Sequence, residues 1–196
     1  PLLVASAVYD KASISLGQFH YDTKGFRQNN DQTHNVYNAF MQYALTPKLN
    51  VQAELRTRGT EHGQLLLDFD RDSPNPAVAK DLLLNLNNRY RRELNEDTAR
   101  IGARYAISPR HDFSTSASFA DRRENFRDFA ITPLPFPVDL EFKFIDKAYQ
   151  IESQYQFRGN HFNLVMGGGY FSIDESKRNN LRFLMNNQGI CPGGGP

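Results

Sequence analysis

The sequence predicts an all-β fold, an antiparallel up-and-down transmembrane β-barrel, of which this chain supplies about eight strands. Three observations predict it. Apolar and polar residues alternate with period two in stretches of about ten residues, as they do in strands with one apolar face. Short and long connections follow one another in turn, and aromatic residues gather near both ends of the apolar faces. The eight strands are expected to belong to a larger barrel.

The composition excludes other classes of protein. The chain has 196 residues, a net charge of +1 and no apolar run long enough for a transmembrane helix. Its 23 basic and 22 acidic residues provide no basic surplus, so a nucleic-acid partner is not expected. The 15 Phe and 9 Tyr are many for a chain with a negative mean hydropathy. A strand with one solvent-exposed polar face and one face rich in aromatic residues explains both the aromatic content and the negative mean hydropathy.

The strands are predicted from their alternation, in chain order, at 2–9, 12–21, 33–45, 49–58, 98–107, 112–119, 147–157 and 161–171. The clearest is 49–58, where Leu49, Val51 and Leu55 share one face and polar residues take the other. In 98–107 the same pattern places Ile101 and Tyr105 on the apolar face. The first two strands alternate less cleanly.

The connections are of two kinds. Short ones at 9–11, 46–48, 108–111 and 158–160 consist of residues that favour tight turns. Long ones are predicted at 23–32, 59–97 and 121–146. Within 59–97, either 64–69 and 82–90 extend the neighbouring strands or a helix runs from Asn75 towards Leu94. A proline-rich loop at 131–144 ends in a short strand. The predicted domains are an incomplete barrel region at 1–173 and a loop or disordered tail at 174–196.

The aromatic residues suggest what the apolar face contacts. One group lies within a few residues of the short turns: Tyr43, Tyr105, Phe113, Tyr155, Phe157 and Phe162. Another, comprising Tyr37, Phe119, Tyr149 and Tyr170, lies further away. Two such levels are typical of the two interfaces of a membrane. The alternative is a soluble β-sandwich or barrel whose core these rings fill, binding carbohydrate or protein through its long loops.

The polar face supplies the candidate functional residues. Long side chains of both charges can line a lumen and offer hydrogen bonds to a polar solute, or they can simply brace the wall. The predicted lumen-lining residues are Gln52, Glu54, Arg56, Arg100, Arg104, Gln150, Glu152 and Gln154. The predicted function is structural, or transport or export of a polar solute.

No catalytic residue, metal site or cofactor is predicted. Asp68, Asp70 and Asp72 open like a calcium loop, but Ser73 replaces the expected glycine and the closing acid is missing. The five histidines show no ligand spacing, and no Gly-x-Ser-x-Gly motif occurs. The only cysteine, Cys191, has no disulfide partner in the chain. The protein is therefore not expected to be an enzyme.

Two segments carry a family resemblance. Residues 17–31 (GQFHYDTKGFRQNND) and 45–56 (LTPKLNVQAELR) resemble the carboxy-terminal barrel region of bacterial outer-membrane proteins that carry tetratricopeptide repeats ahead of a barrel similar to TonB-dependent receptors. The resemblance implies a location in the bacterial outer membrane and passage or export of a substrate. Expected partners are outer-membrane lipid, the remainder of the chain, and lipopolysaccharide phosphates at the mixed-charge clusters 89–93 and 122–127.

Overall fold

The computed structural model describes residues 1–26, 29–63, 90–130 and 138–183. These residues form eight β-strands, in agreement with the predicted all-β fold. The strands are β1 Leu2–Tyr9, β2 Ala12–Thr23, β3 Gln32–Thr46, β4 Leu49–His62, β5 Arg91–Ser108, β6 His111–Ala130, β7 Val138–Arg158 and β8 Asn163–Phe183. Their lengths increase along the chain from 8 residues in β1 to 21 residues in β8.

The strands form one antiparallel sheet in sequence order, from β1 to β8. Within the described ranges, only consecutive strands contact one another, so neither face of the sheet is covered by a second layer. The outer edges of β1 and β8 have no strand partner among the same residues. The sheet therefore has the form of an open section of wall. No helix of the described chain is long and apolar enough to cross a membrane.

The short turns form where the sequence predicts them, and side-chain hydrogen bonds stabilise two of them. The Thr46 hydroxyl oxygen accepts hydrogen bonds from the backbone N–H groups of Lys48 and Leu49, at 3.2 and 3.0 Å. In the matching Ser-Pro-Arg turn, the Ser108 hydroxyl accepts one from the Arg110 N–H at 3.4 Å. The strand register shifts beside both turns. Asp10 adopts a φ of 49° in the first turn, a conformation that aspartate tolerates.

The four short turns lie at successively lower positions in the strand register. The row of paired residues through Leu49 and Phe113 is the reference, and positions above it are those nearer the long connections. The β1–β2 turn closes two residues above this row, and the β3–β4 turn closes at it. The β5–β6 turn closes two residues below the row and the β7–β8 turn three below. A drop of about 17 Å across six strand spacings of about 4.8 Å corresponds to a strand tilt of about 30°. Strands in closed barrels have a similar tilt.

The strands extend further from the short turns than the hydrophobic pattern predicts. β5 begins at Arg91 rather than 98, and β6 continues to Ala130 rather than 119. β7 begins at Val138, so the short strand predicted at the end of 131–144 is continuous with the strand predicted from 147. β8 reaches Phe183, so residues 174–183 are strand and not the predicted loop or tail. The prediction of a helix that reaches Leu94 is also wrong, because residues 91–94 lie in β5. Residues 64–89 lie outside the described residues. Both faces are largely polar at 91–97 and at 121–124, which removes the alternation there, whereas 138–144 alternates with its apolar residues on the side that is polar nearer the short turns.

The Gly167–Gly168–Gly169 run lies within β8 and allows it to approach β7 closely. A Cβ atom on Gly167 would lie 2.9 Å from the Ser153 carbonyl oxygen, and one on Gly169 would lie 2.8 Å from the Ile151 carbonyl oxygen. A Cβ on Gly168, which faces the other way, would meet nothing within 4 Å. Backbone proximity therefore requires glycine at the two outer positions.

Candidate functional site: the two faces of the sheet

The register places the predicted functional residues on one face. Glu54 pairs with Arg100, and Gln52 pairs with Gly102, so these side chains project from the same side of β4 and β5. The row continues through Ser116 on β6 to Glu152 on β7. All eight predicted lumen-lining residues occupy this side, the polar face. The opposite side, the apolar face, carries Leu55, Ile101 and Ile151 among others.

One hydrogen bond and one ion pair connect β3, β4 and β5 across the polar face. The Asn38 side-chain amide donates to the Glu54 carboxylate at 2.8 Å, and the Arg100 guanidinium lies 3.7 Å from the same carboxylate. The Arg100 side chain remains 58% exposed. Because its partner is at long range and the group is open to solvent, Arg100 retains donors for a further ligand.

Four predicted residues meet in one cleft of about 450 Å³ on the polar face: Gln52, Arg104, Glu152 and Gln154. Its floor includes Ser114 and Ser116 of β6, whose short side chains leave space between the longer residues of β5 and β7. The cleft thus combines hydroxyl, amide, guanidinium and carboxylate groups. Such a lining can form hydrogen bonds to a polar solute or to water.

A second cleft of about 260 Å³ lies beside it and is lined by Glu54, Arg56 and Arg100. Gln150 lines neither cleft and donates a hydrogen bond to the Glu152 carboxylate. The eight predicted residues thus share one face, and seven of them divide between two clefts. Ser114 and Ser116 were not predicted to line the lumen. They alternate with Thr115 and Ala117 of the apolar face, and this alternation places them on the polar face.

Asp112 anchors the polar face beside the β5–β6 turn, and the sequence analysis did not identify it. Its carboxylate accepts hydrogen bonds from Arg104 at 3.0 Å and from Arg158 at 2.5 Å, while only 5% of the residue is exposed. The three residues come from β5, β6 and β7 and link these strands close to their short turns. Two guanidinium partners satisfy the buried carboxylate, which would otherwise be costly to desolvate.

The polar face becomes aromatic near the long connections. Tyr90 packs edge-on against Phe126, with ring centroids 5.2 Å apart, and Phe126 packs against Phe142 at 5.7 Å. The ammonium group of Lys177 lies 5.8 Å from the centroid of the Phe144 ring. Burial raises the pKa of the Tyr90 hydroxyl above its usual value. Phe126 lies in the extension of β6, whereas Phe142 and Phe144 lie in the short strand predicted at the end of 131–144, and the sequence does not show that these two segments pair.

The apolar face is exposed. Leu55 and Ile101 are 62% and 64% exposed, and Ile151 is 55% exposed. In a soluble β-sandwich these side chains would be covered by a second sheet, and no such layer exists among the residues described. An uncovered apolar band of this extent requires a membrane or a partner.

Aromatic residues border that band at two levels. The lower level includes Tyr43 on β3, Phe113 on β6 and Tyr155 on β7; the upper level includes Tyr37, Phe119 and Tyr149 on the same strands. Each upper residue is six positions from its lower counterpart, about 20 Å along the strand. The lower group also contains Tyr105, Phe157 and Phe162, the last two with ring centroids 5.5 Å apart.

Both aromatic levels have the same slope as the short turns. In the register, Tyr37 lies two residues above the row of Phe119 and Tyr149, and Tyr170 lies two residues below it. The lower level descends in the same direction, from Tyr43 to Phe157. The turns and the two levels are therefore approximately parallel to one another.

The two mixed-charge clusters of the sequence divide between the faces. Arg92 and Arg122 lie on the polar face and both contact the Glu124 carboxylate, at 2.6 and 2.7 Å. Arg123 and Arg127 lie on the apolar-face side of β6 and pair with Asp121 and Glu141. Arg89 is outside the described residues. Among those that are described, no group of three or more His, Cys, Asp or Glu residues is arranged to hold a metal ion.

Comparison with solved structures identifies the fold. Residues covering 96% of this chain and 28% of the other superpose on the ferric citrate transporter FecA, in its unliganded form, with a TM-score of 0.65 and 13% identity. The fold is that of an outer-membrane β-barrel wall. BauA, the ferric preacinetobactin receptor from Acinetobacter baumannii, matches with a TM-score of 0.61, 11% identity and coverage of 87% of this chain and 27% of the receptor.

These likenesses agree with the predicted resemblance to TonB-dependent receptor barrels at the level of fold. The chain spans between a quarter and a third of the length of either protein. No protein-family model and no curated protein sequence matches the chain.

Proposed function

We propose that this chain forms part of the wall of a bacterial outer-membrane β-barrel, with the short turns on the periplasmic side and the long connections outside the cell. The barrel serves passage or export of a polar solute and has no catalytic site. The eight residues Gln52, Glu54, Arg56, Arg100, Arg104, Gln150, Glu152 and Gln154 line its lumen, and the two aromatic levels rest at the two membrane interfaces.

The parallel slope of the turns and the aromatic levels carries this proposal. Aromatic residues filling a soluble core need not follow the positions of the turns. Rings that rest at headgroup depth must follow them, because both membrane interfaces lie perpendicular to the barrel axis while the strands are tilted. The slope of the two levels therefore supports a membrane around the apolar face.

The polar face is suited to a solute rather than to a fixed ligand. Its clefts are open, and their charged groups are balanced, with Arg100 opposite Glu54 and Arg104 near Glu152. A lining that forms several weak hydrogen bonds allows a solute both to enter and to leave.

Single cysteines at adjacent positions of β6 test the two faces. Ser116 lies on the polar face and Ala117 on the apolar face, at the same depth between the aromatic levels. We expect Ser116→Cys in the full-length protein, in bilayers, to react with a water-soluble thiol reagent, and Ala117→Cys to be protected. Cys191→Ser provides the background. Release of protection at Ala117 only after unfolding in denaturant supports the proposal; equal labelling of both positions in the bilayer overturns it.

The unpaired edges of β1 and β8 bear on the rest of the barrel. Unpaired backbone N–H and C=O groups are strongly disfavoured in hydrocarbon, so these edges need further strands as partners. We infer that the remainder of the chain supplies them. A tetratricopeptide-repeat region ahead of the barrel is proposed from the resemblance of residues 17–31 and 45–56 alone. The full reading frame tests both statements.

A further inference from the structure

The apolar-face side of the sheet carries an uneven charge beyond the upper aromatic level. On β6–β8 this surface has six cations, Arg123, Arg127, Lys143, Lys147, Arg178 and Arg182, against four carboxylates, Asp121, Asp139, Glu141 and Asp174. On β2–β5 it has one cation, Arg91, against four carboxylates, Asp22, Glu61, Glu93 and Asp97. The outer surface is therefore basic on one half and acidic on the other.

Several of the basic groups are available for a ligand. Lys147, Arg178 and Arg182 are exposed, and none of the described residues forms an ion pair with them. Arg123, by contrast, is held by Asp121 at 3.0 Å, and Lys143 lies 3.3 Å from Glu141. In the register Lys147 lies between Asp121 and Asp174, and Arg182 lies opposite Asp139, whereas Arg178 lies opposite Lys143. Exposed cations that form no ion pair retain donors for phosphate.

These cations are arranged in two tiers above the aromatic level. Lys147 lies two residues beyond Tyr149, about 7 Å along the strand, and Arg123 lies four beyond Phe119. Arg178 lies eight residues beyond Tyr170, about 26 Å along the strand, and pairs in the register with Lys143. A phospholipid offers phosphate at one depth only. Lipopolysaccharide offers phosphates on lipid A and further phosphate and carboxylate groups on the sugar core above it.

We propose that the surface formed by Arg123, Lys143, Lys147, Arg178 and Arg182 binds lipopolysaccharide, with Lys147 and Arg123 at the lipid A phosphates and Lys143, Arg178 and Arg182 at the anionic sugar core. The proposal rests on the proposed outer-membrane function, which places this surface in the outer leaflet. Charge complementarity and the height of the basic surface together favour this glycolipid over a phospholipid.

Binding to full-length protein refolded without lipopolysaccharide tests the proposal. The protein is placed in phosphatidylethanolamine vesicles and titrated with complete lipopolysaccharide or with lipid A. We expect the paired variant Lys147→Gln with Arg178→Gln to weaken binding of the complete molecule about thirtyfold, because each cation near a lipid surface contributes about one kcal/mol. Arg178→Gln alone should weaken binding of the complete molecule and leave binding of lipid A unchanged.

The control variant is Glu93→Gln with Asp97→Asn on the acidic half, which changes two charges on the same side of the sheet and should not weaken binding. Heat-modifiable migration of each variant reports folding separately. A wild-type barrel that folds in the vesicles but binds lipopolysaccharide no better than phosphatidylglycerol overturns the inference and leaves the proposed function standing. A protein that does not fold in vesicles overturns the proposed function. Unchanged binding by the paired variant also overturns the inference.

Discussion

Replacing Ile101 by arginine would test whether lipid surrounds the apolar face. Ile101 lies on β5 between the aromatic levels, opposite Ala53 and Ala117, and is 64% exposed. An arginine near the midplane on the lipid side of a barrel costs about 2–4 kcal/mol. The unfolding equilibrium of the full-length protein should therefore shift by about 30-fold to 900-fold. In water, the same substitution at so exposed a position should change stability by at most about 0.5 kcal/mol.

The assay is urea unfolding of the full-length protein in phospholipid vesicles, followed by circular dichroism and by the gel migration of unheated samples. Asn95→Arg is the matched control, because Asn95 lies on the same strand and the same side, six residues closer to the long connection and beyond the upper aromatic level. That variant should cost about 0–1 kcal/mol. Equal effects of the two substitutions, or a loss below about 0.5 kcal/mol for Ile101→Arg, would refute the reasoning.

Three further predictions concern contacts between strands. Gly167→Ala and Gly169→Ala should each lower the free energy of unfolding by about 1–3 kcal/mol, because a Cβ would collide with the backbone of β7. Gly168→Ala should have little effect, and equal shifts of the urea midpoint in all three variants would contradict the packing argument. Asp112→Ala should lower the urea midpoint more than Asp174→Ala, because it leaves two arginines without their shared carboxylate; the reverse order would exclude this anchoring role. Phe142→Leu should cost about 1 kcal/mol through loss of its ring contact with Phe126, measured in the same way, with the exposed polar-face variant Tyr21→Leu as the comparison.

The sequence predicts the part of the fold that lies near the short turns and fails further from them. Between the aromatic levels, one face is apolar and the other polar, so Leu55 and Arg56 report their orientation directly. Beyond the upper level, residues 121–124 are charged on both faces, and a strand there looks like a loop. What maintains these strands is pairing between distant segments, such as the Arg58–Glu96 contact at 2.8 Å, which sequence periodicity does not show.

The sequence predicts on which face of the sheet the candidate site lies, but not which side chains contact one another there. Alternation placed Gln52, Glu152 and Gln154 on a common face, and the register brings all three to one cleft. The Arg104–Asp112–Arg158 group requires knowledge of which turn lies beside which strand end, since its members are separated by up to 54 positions in the chain (104 to 158). Likewise, Phe126 and Phe142 meet only because β6 continues as a strand beyond its predicted limit and pairs there with β7.

The register row in which β2 ends has a consequence for how anything reaches the clefts. From Thr23 that row passes through Gln32, His62 and Arg92 to Phe126 and Phe142. β6 and β7 continue beyond the row for four residues, about 13 Å. The rings of Phe126 and Phe142 therefore stand on the inner side of the wall, level in the register with the rim where β2 ends. A molecule approaching from the long connections meets this aromatic screen first, and only afterwards the hydrophilic wall below it.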